Sequence, residues 1–552
     1  MTNDEISEII KLYARLYELN GGNPFKIKSY NAASFKIDKT AVPLAGKSEE
    51  ELEGLDGIGK SLASKIYEIN ATGSFEELND LLQETPEGVL QILQIKGLGP
   101  KKVQVIWKEL GIESIGELLY ACHENRLAQA KGFGLKTQQA VIQSIEFATA
   151  NAHKFHYATV EQKAMELLNE LTKLPLVTYV SFTGALRRKC EVLDELEFVL
   201  AGNNTDVSVE QSNLLENFIR EEGVISGKLH SLPVKIYTCP ADEFALKLFN
   251  TTAAPAHLQL LPSIKTQAAY TSEAEIYNSI SLPYIEPELR EGTMEMERAG
   301  SDQLPKLIEL SDLRGSLHNH STWSDGLNTL EEMALACRSM NLEYFGICDH
   351  SKTAFYASGL KEEQIIAQHK EIDELNKKLA PFKIFKGIES DILGDGSLDY
   401  SREVLATFDF VVASVHSNLK MTLEKAMSRL LPAIENPYTT ILGHPTGRLL
   451  LVREGYPVDH KKMIDACAAN GVVIELNAHP YRLDLDWRWI DYALNKGVKI
   501  SINPDAHNTD GFNDMYYGIC VARKGFLTKE MCFNAMNLEE ISAYFAQRKA
   551  RI

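Results

Sequence analysis

Residues 314–326 read RGSLHNHSTWSDG, a short apolar run that ends in two histidines, His318 and His320, followed by the acid Asp325. Two residues that lie two positions apart share one face of a β-strand, so the two imidazoles point the same way. Six more apolar runs follow, and most of them also end in a polar residue that can bind a metal. They read EYFGICDH, FKIFKGIES, FVVASVHS, TTILGHP, GVVIELNA and VKISINPDAH.

Seven such strands alternate with helical stretches between about residues 313 and 552, and this alternation predicts a βα-barrel-like domain with an incomplete or distorted barrel. Active sites in such barrels lie at the C-terminal ends of the strands. Nine residues with metal-binding side chains stand at or near those ends: His318, His320, Asp325, His350, Glu389, His416, His444, Asp505 and His507.

Imidazole and carboxylate groups suit Zn²⁺, Mn²⁺ or Fe²⁺. Nine ligands are too many for one ion, so we expect three ions that share a bridging carboxylate. The alternative is that these histidines are structural, which is the usual role of a lone histidine. Six histidines at successive strand ends are difficult to explain by packing, and we therefore favour a catalytic metal centre.

The composition limits what the rest of the chain can be. A chain of 552 residues predicts several domains, and a net charge of −19 excludes a uniformly basic nucleic-acid coat, so any DNA contact must be local. No apolar run reaches the 18–20 residues or so that cross a bilayer, and the acidic start is unlike a signal peptide. Eight cysteines without a CxxC pair indicate reduced thiols. We expect a cytoplasmic protein that does not contact membranes.

Residues 1–150 have apolar side chains at helical spacing and contain an imperfect repeat. The copies, at 52–66, 93–106 and 127–141, each place Gly-apolar-Gly before an amphipathic helix. Such a turn exposes backbone N–H groups that can bind a phosphate without reading a base. The candidate DNA-binding residues are Gly57, Gly59, Lys60, Gly97, Gly99, Lys101, Lys102, Gly132 and Gly134. A set of helix C-caps in a bundle is the alternative, but three copies favour phosphate binding, and the repeat resembles the helix-hairpin-helix motif.

Residues 151–312 indicate mixed α/β structure. Strand-like runs lie at 176–182, 195–201 and 232–238, and a stretch rich in proline, serine and aspartate ends the region near residue 312. We therefore expect three domains, at 1–150, 151–312 and 313–552.

The motifs of the last region, RGSLHNHSTWSDG with GICDHS, GIESDIL, ASVHS, LGHPTGR and INPDAH, resemble a PHP (polymerase and histidinol phosphatase) domain. The preceding 300 residues or so are similar to the polymerase half of a bacterial family X DNA polymerase, on PFKIKSYNAASFKI at 24–37, the hairpins and SEAEIYNSISLPYIEPELREG at 272–292. The resemblance spans nearly the full chain. It implies a multidomain α/β protein: an all-α helix-hairpin-helix region, an α+β nucleotidyltransferase-like palm and thumb, and the PHP barrel.

The PHP resemblance implies a role for each candidate ligand. One ion would be held by His318, His320, Glu389 and Asp505, a second by Glu389, His416 and His444, and a third by Asp325, His350 and His507. The ions would be Mn²⁺ or Zn²⁺, and Glu389 and Asp325 would belong to the catalytic centre. Arg448 would pair with a phosphate, although a surface arginine is an equal alternative. Ser316 and His479 stand where the family usually has Asp and Asn.

The polymerase motifs depart from the family. Its Gly-Ser and Arg-Gly become Gly184-Ala185 and Arg188-Lys189, and its three metal-binding aspartates fall on Glu195, Glu197 and Lys235. Its nucleotide-binding Gly-Ser-Lys motif becomes AAPAHL at 253–258. A displacement of about 1 Å can cost roughly 100-fold in rate, and a lysine repels the metal. If the motif is aligned so that Asp194 takes the place of one of the three metal-binding aspartates, it is the only aspartate among them, and the third acid is still missing. We expect an inactive polymerase core, with Mg²⁺ bound only if that core works.

The sequence thus predicts a DNA-binding phosphoesterase of DNA repair, for example base excision repair. The PHP domain would act as a metal-dependent 3′→5′ exonuclease or 3′-end-processing enzyme on gapped, nicked or 3′-recessed DNA, as a monomer. The alternatives are an active gap-filling polymerase with an associated PHP exonuclease, a non-catalytic DNA scaffold, and a phosphatase for a small ester such as histidinol phosphate. The hairpins argue against the small-ester phosphatase, which has no use for a DNA-binding motif.

Overall fold

The computed structural model of the chain describes residues 1–40, 42–55, 57–123, 126–150, 154–212, 214–264 and 269–550. The chain folds into two compact units, residues 1–152 and 153–552. Within the described ranges, no helix is both long enough and apolar enough to cross a membrane. All eight cysteines are free thiols, and seven of them are buried.

The first unit is helical throughout its described residues, as the sequence predicts. A π-helical turn at Val105–Glu109 continues the seventh of its helices. The helices are α1 (Asn3–Leu19), α2 (Pro24–Asp38), α3 (Glu49–Glu53), α4 (Lys60–Thr72), α5 (Glu76–Glu84), α6 (Glu87–Gln94), α7 (Pro100–Gln104), α8 (Ile115–His123), α9 (Arg126–Gln129) and α10 (Leu135–Ala150).

Local sequence signals explain where these helices begin. The Thr2 hydroxyl accepts from the N–H of Glu5 and the Glu5 carboxylate accepts from the N–H of Thr2, so the two residues form a capping box at the start of α1. Ile6, Ile10 and Leu16 then recur at helical spacing on the buried face of α1, and this apolar stripe packs into the core of the unit.

The second unit begins with a five-stranded mixed sheet of order β2-β4-β7-β6-β5, in which only β4 and β7 are parallel. A short antiparallel pair, β1 with β3, lies beside it. The strands are β1 (Phe155–His156), β2 (Val177–Phe182), β3 (Val192–Leu193), β4 (Leu196–Gly202), β5 (Glu216–Glu221), β6 (Val224–Leu229) and β7 (Leu232–Cys239). The helices here are α11 (Tyr157–Thr172), α12 (Gly184–Arg187), α13 (Thr205–Ser212), α14 (Phe244–Thr252), α15 (Pro255–Leu260), α16 (Glu273–Ser279) and α17 (Glu295–Gly300).

The three strands predicted in this region correspond to β2, β4 and β7, but the hairpin of β5 and β6 was not predicted. The sequence of β5, ENFIRE, is almost entirely exposed because the strand lies at the edge of the sheet. An exposed edge strand lacks the alternation of apolar and polar residues that a half-buried strand shows.

The second sheet has seven parallel strands in sequential order from β8 to β14. A backbone bridge between Asn319 and Ala506, which follow the first and last strands, nearly closes the sheet into a ring. The predicted distorted barrel is therefore confirmed. Its strands are β8 (Gly315–Ser316), β9 (Tyr344–Ile347), β10 (Lys383–Asp391), β11 (Phe410–Ser414), β12 (Ile441–Leu442), β13 (Val473–Asn477) and β14 (Ile500–Asn503). Its helices are α18 (Leu330–Ser339), α19 (Glu362–Leu379), α20 (Arg402–Leu405), α21 (Leu423–Glu435), α22 (His460–Asn470), α23 (Ile490–Asn495), α24 (Met515–Lys524) and α25 (Leu538–Lys549).

The inside of the barrel changes from apolar to polar along each strand. On β10, Phe385, Gly387 and Glu389 are alternate residues and share one face. The ring of Phe410 fills the space beside Gly387, where a Cβ atom would lie 2.4 Å from it. Only glycine fits there, and the first residues of the strand are packed, whereas Glu389 at the end of the strand belongs to a polar cluster.

Polar contacts join the five-stranded sheet region to the barrel. The buried ammonium group of Lys524 on α24 pairs with Glu291, and it donates to the carbonyl of Arg188 at 3.0 Å. The hydroxyl of Tyr516 donates to Glu161 at 2.6 Å. The two sheets consequently form one compact unit, and a domain boundary at residue 312 stays a prediction.

Candidate metal centre

All nine candidate ligands lie at the C-terminal end of the barrel. His318, His320 and Asp325 follow β8, and His350 follows β9. Glu389 lies in β10, His416 and His444 follow β11 and β12, and Asp505 and His507 follow β14. Because the strands are parallel, their ends meet at one edge of the sheet, and residues far apart in sequence become neighbours.

Glu389 is the centre of the cluster. Its Oε1 atom lies 3.0 Å from His416 Nε2, 3.0 Å from His444 Nε2 and 3.3 Å from His318 Nε2. Its Oε2 atom lies 3.0 Å from His350 Nδ1. One carboxylate therefore touches imidazoles that come from four different strands.

Asp505 forms a second focus of the cluster. Its Oδ1 atom lies 3.0 Å from His320 Nε2 and 3.5 Å from His318 Nε2. The backbone of Asp505 has φ +55°, a left-handed conformation that is rare for an aspartate. Strain of this kind is common at functional sites, where the surrounding fold imposes it.

Asp325 is the third focus and lies at the more exposed edge. Its Oδ1 atom is 3.4 Å from His507 Nε2, 3.6 Å from His350 Nε2 and 3.8 Å from His320 Nδ1. The side chain of His507 is 37% exposed and that of Asp325 is 20% exposed, whereas those of His318 and His320 are fully buried. The cluster is therefore open to solvent on the side of His507.

Three groups of side chains in the described part of the chain are compact enough to hold an ion, and all three belong to this cluster. They overlap with the predicted ligand sets but are not identical to them. His320 and His350 each belong to two groups, Glu389 belongs to one, and His444 belongs to none. The groups are His320 with Asp325, His350 and His507; His318 with His320 and Asp505; and His350 with Glu389 and His416.

A second layer of polar side chains holds the candidate ligands in place. Glu475 on β13 lies 2.7 Å from His318 Nδ1, and Asp391 pairs with His416 Nδ1. Asn477 donates to Asp505 Oδ2 at 3.0 Å. An imidazole whose Nδ1–H donates to a carboxylate presents the lone pair of its Nε2 atom to the cluster.

Sequence reasoning missed Glu475 and Asp391, although both had a signal. Glu475 is an acid inside the otherwise apolar run VVIELN, and it shares a face with Asn477. Asp391 lies two residues after Glu389 and therefore on the same face of β10. A buried acid within an apolar strand is expensive unless it is paired, so each acid implied a partner.

The carboxylates and imidazoles of the cluster shift one another's pKa values strongly. Burial alone would raise the pKa of Glu389, but the imidazoles of His416, His318 and His350 hold it well below its ordinary value. In return, although burial opposes it, Glu389 and Asp391 raise the pKa of His416 to about 10. By contrast, burial together with His507 and His350 lowers the pKa of His320 to about 3. Protons and metal ions compete for such nitrogen atoms.

The donor set fits divalent ions. His318 Nε2, His320 Nδ1 and Glu389 Oε2 are buried and, although charged or polar atoms lie within 3.0–3.8 Å of each, none of the three forms a well-directed hydrogen bond within the part of the chain that the structure describes. A buried polar atom left without a partner costs about 1–3 kcal/mol. Three such atoms that converge on one cluster are explained if each is a ligand to an ion, as the imidazole and carboxylate chemistry suggests.

Glu475 tests the role of this second layer. We expect Glu475→Gln to weaken Mn²⁺ or Zn²⁺ binding by about 10- to 100-fold, because the neutral amide no longer polarises His318. Calorimetric titration of the ion into metal-free protein measures the change. Glu371→Gln is the matched control, since Glu371 accepts from Trp323 Nε1 at 2.8 Å and is not among the candidate ligands. Equal affinity in the Glu475 variant and the control would contradict the role assigned to Glu475.

The side chain of Arg448 forms its ion pair and hydrogen bonds with other groups of this chain. Its guanidinium group pairs with Asp486 at 2.5 Å, and it donates to the carbonyl groups of Arg482 at 2.9 Å and of Leu483. Arg448 thus stabilises the loop after β13. Arg482 is instead the arginine found beside the candidate ligands, with its Nε atom 3.8 Å from Asp505 Oδ2.

The five-stranded sheet brings the degenerate polymerase residues together. Glu197 on β4 lies directly opposite Lys235 on β7, and Lys235 Nζ is 3.3 Å from Glu195 Oε1. The N–H of Ala185, which stands in place of the family's serine, donates to Glu197 Oε2 at 3.1 Å. Side chains and backbone groups of the chain itself thus bind both glutamates.

Three further polymerase-motif residues are also in contact with other parts of the chain. Gly184 has φ +58°, and a Cβ atom there would lie 1.6 Å from the Glu197 carboxylate, so only glycine fits. Arg188 lies 3.0 Å from Glu291 and donates to the Thr252 carbonyl at 2.6 Å. His257 is fully buried between Glu295 and Tyr277.

The three Gly-apolar-Gly turns share one geometry. The first glycine of each, Gly57, Gly97 and Gly132, has φ between +82° and +90°. The second glycine of the first two turns, Gly59 or Gly99, is the N-cap of the next helix and makes no side-chain hydrogen bond to it. The N–H groups of Lys60 and Ser61 at the start of α4, and of Lys101 after Pro100 in α7, therefore point toward an outside acceptor, since Pro100 itself has no N–H group. Lys60 and Lys101 lie exposed at these turns.

Comparison with known proteins agrees with this architecture. Residues 1–75 match the family model of a helix-hairpin-helix domain, residues 89–146 that of a SAM-like helix-hairpin-helix tandem, and residues 316–479 that of a PHP domain. In an alignment 569 positions long, the chain is 33% identical to a Bacillus subtilis (strain 168) protein described as DNA polymerase/3′-5′ exonuclease PolX. The alignment covers 99% of both chains. This chain belongs to the PolX family.

The PolX-family chain is also similar to shorter proteins described as probable phosphatases. One from Acetivibrio thermocellus is 26% identical over 247 residues, which are 43% of this chain and 96% of the relative. Another, from Thermoanaerobacter sp. (strain X514), is 27% identical over 188 residues, 32% of this chain and 74% of the relative. The resemblance to a bacterial family X polymerase with a C-terminal PHP domain, inferred from the sequence motifs, is therefore confirmed.

Proposed function

We propose that this PolX-family chain is a DNA-binding phosphoesterase that removes nucleotides or phosphate groups from 3′ ends at its barrel centre. The observation that carries the proposal is the convergence of buried, unpartnered nitrogen and oxygen atoms around Glu389, open to solvent beside His507. The printed description of the B. subtilis relative, which names a 3′-5′ exonuclease, and those of the phosphatase relatives support it.

In this proposal three Mn²⁺ or Zn²⁺ ions are held by the eight residues of the groups around Glu389, Asp505 and Asp325, together with His444, whose Nε2 lies 3.0 Å from Glu389. When bound, such ions polarise a phosphoryl group and lower the pKa of water toward neutrality. The contribution of the chain is to fix the donor atoms: Glu475 and Asp391 orient two imidazoles, and Asn477 orients Asp505. Asp325 and His507, on the exposed side, lie where the substrate enters.

DNA binding by the first unit is the second part of the proposal. The open N–H groups at the starts of α4 and α7, with the exposed Lys60 and Lys101 beside them, suit a phosphate of the DNA backbone. Contacts of this kind hold DNA without reading its sequence. The enzyme would act as a monomer on gapped, nicked or 3′-recessed DNA during repair.

The lysines of the hairpins provide a direct test of this part. We expect the triple variant Lys60→Ala/Lys101→Ala/Lys102→Ala to bind DNA more weakly at every sequence, and the slope of log K against log salt to fall by up to about 3. Fluorescence anisotropy across a salt series measures both quantities. Lys11→Ala is the control, because Lys11 is exposed but pairs with Glu8 in α1. An unchanged slope in the triple variant would exclude phosphate contacts at these turns.

The third part of the proposal is that the polymerase core is a scaffold that positions DNA. The ion pair of Lys235 with Glu195 and the bond from Ala185 to Glu197 support it, because both use groups that a nucleotide and its metals would need. An active gap-filling polymerase is the second candidate. The description of the B. subtilis relative as a DNA polymerase favours it.

The proposed activity is tested by comparing substrates. We expect purified protein with Mn²⁺ to release the terminal nucleotide or phosphate from a 3′-recessed duplex, at a kcat/KM at least about 100-fold above that for p-nitrophenyl phosphate, because only DNA uses the hairpins. A higher kcat/KM for the small ester would show a metabolite phosphatase instead. No turnover of either substrate would favour a non-catalytic scaffold.

A further inference from the structure

The segment that follows β13 forms a rigid support at the edge of the metal centre. The N–H of His479 donates to Asn477 Oδ1 at 3.1 Å, and the N–H of Tyr481 donates to His479 Nδ1 at 3.2 Å. The carbonyl of Tyr481 accepts from the N–H of Leu450 at 2.7 Å. Hydrogen bonds thus fix the backbone of Tyr481 through both its N–H group and its carbonyl group.

The ring of Tyr481 is half covered and half open. It packs at a tilt against His156, at a centroid distance of 4.3 Å, and against His479, at 5.4 Å, yet 42% of the residue is exposed. His156 is itself fixed, since its Nε2–H donates to the carbonyl of Leu450 at 2.9 Å. Two imidazoles therefore support one aromatic ring from the protein side and leave the rest of the ring to solvent.

Tyr481 is followed in the chain by a residue that lies close to a candidate ligand. This residue, Arg482, places Nε 3.8 Å from Asp505 Oδ2, and the same oxygen accepts from Asn477, which also anchors His479. Asn477 and Arg482, at the two ends of the segment, thus both lie close to the same oxygen of Asp505. The guanidinium group of Arg482, 22% exposed, adds a positive charge beside Asp505.

We propose that Tyr481, supported by His156 and His479, is the platform on which the terminal nucleobase of the substrate stacks. The proposal rests on the proposed phosphoesterase function and specifies its substrate. A nucleobase can stack on a protein ring only if the face of the base that would contact the ring is not already covered by a neighbouring base pair. Stacking of this kind tolerates any base sequence.

Kinetics on two small diesters test the platform. Thymidine 5′-(p-nitrophenyl phosphate) carries a nucleobase, whereas bis(p-nitrophenyl) phosphate has none. We expect Tyr481→Ala to raise KM for the thymidine ester by about 10-fold, the effect of one lost base–aromatic contact, and to leave kcat/KM for the other diester within about twofold. Tyr481→Trp should restore the KM for the thymidine ester.

Tyr179→Ala is the matched control, since Tyr179 is a comparably exposed tyrosine, at 51%, on β2 of the five-stranded sheet. Unchanged turnover of the base-free diester shows that the Tyr481→Ala variant is folded and that its metal centre is intact. Equal losses on both diesters, or no loss on either, would overturn the stacking role.

Photocrosslinking gives a readout that does not depend on turnover. An oligonucleotide with 5-iododeoxyuridine at its 3′ terminus is irradiated with the full chain in the presence of EDTA, and the modified peptide is sequenced. We expect a crosslink at Tyr481 with a single-stranded 3′ overhang and at least about tenfold less with a blunt duplex. Crosslinks only elsewhere would overturn the proposal. A Tyr481 crosslink in a protein that cleaves nothing would overturn the phosphoesterase function and keep the platform.

Discussion

Glu389→Gln should reduce 3′-end cleavage by a factor of about 1,000 or more. The carboxylate lies within 3.3 Å of His318, His350, His416 and His444, so it is shared by imidazoles from four strands. An amide of the same shape keeps the packing but supplies neither the charge nor the second oxygen that two ions would share. Release of a 3′ label from a recessed duplex, at saturating Mn²⁺, measures the loss.

The control for this substitution is Glu403→Gln. Glu403 is exposed at the start of α20, away from the strand ends. Its variant should cleave DNA at the wild-type rate, within about twofold. A Glu389→Gln variant that retained more than a tenth of the wild-type rate would contradict the central position assigned to Glu389.

Primer extension should be almost absent from the wild-type chain. Each Asp→Glu change displaces a carboxylate by one methylene group, at a cost of roughly 100-fold, so the changes at Glu195 and Glu197 together predict a loss of about 10⁴-fold. A typical turnover of about 10 per second would then fall to roughly 10⁻³ per second. The ammonium group of Lys235, 3.3 Å from Glu195, opposes metal binding further.

Nuclease activity would mask weak extension, and the assay therefore uses the Glu389→Gln background. A gapped substrate, saturating Mg²⁺ and all four dNTPs are incubated with this variant and with Glu389→Gln/Glu197→Ala. We expect the same trace of product from both. Robust extension that Glu197→Ala abolishes would show that the polymerase works and that Glu197 serves as a ligand in spite of its extra methylene.

The barrel could be predicted from the sequence because its signal repeats. Seven apolar runs, each with a polar end, define both the strands and the side that carries the ligands, since parallel strands end at one edge. The cluster around Glu389 follows from that topology alone. How the nine residues divide into groups does not follow, because His320 and His350 stand between neighbouring groups, at distances that only the structure gives.

Other features were hidden from the sequence for physical reasons. Glu475 lies inside β13, so an analysis of strand ends passes over it, and Asp391 closely follows Glu389, which alone is predicted as the polar residue at the end of β10. The β5–β6 hairpin lacks a pattern because its edge strand is exposed. Arg448 could not be assigned to phosphate or protein from sequence, since its partners Asp486 and Leu483 lie more than 30 residues along the chain.

The central claim is that the mouth of the barrel gathers metal ions able to cleave a phosphoester bond. Metal analysis by mass spectrometry of purified protein, paired with release of a 3′ label from the same sample, tests it most directly. We predict that the wild-type protein is active and holds about three Mn²⁺ or Zn²⁺ ions per chain, matching the three ligand groups. We predict that the His318→Ala/His320→Ala variant loses its bound ions and also loses its activity. Undiminished nuclease activity in that double variant, or an active wild type that holds no divalent ion, would contradict the account.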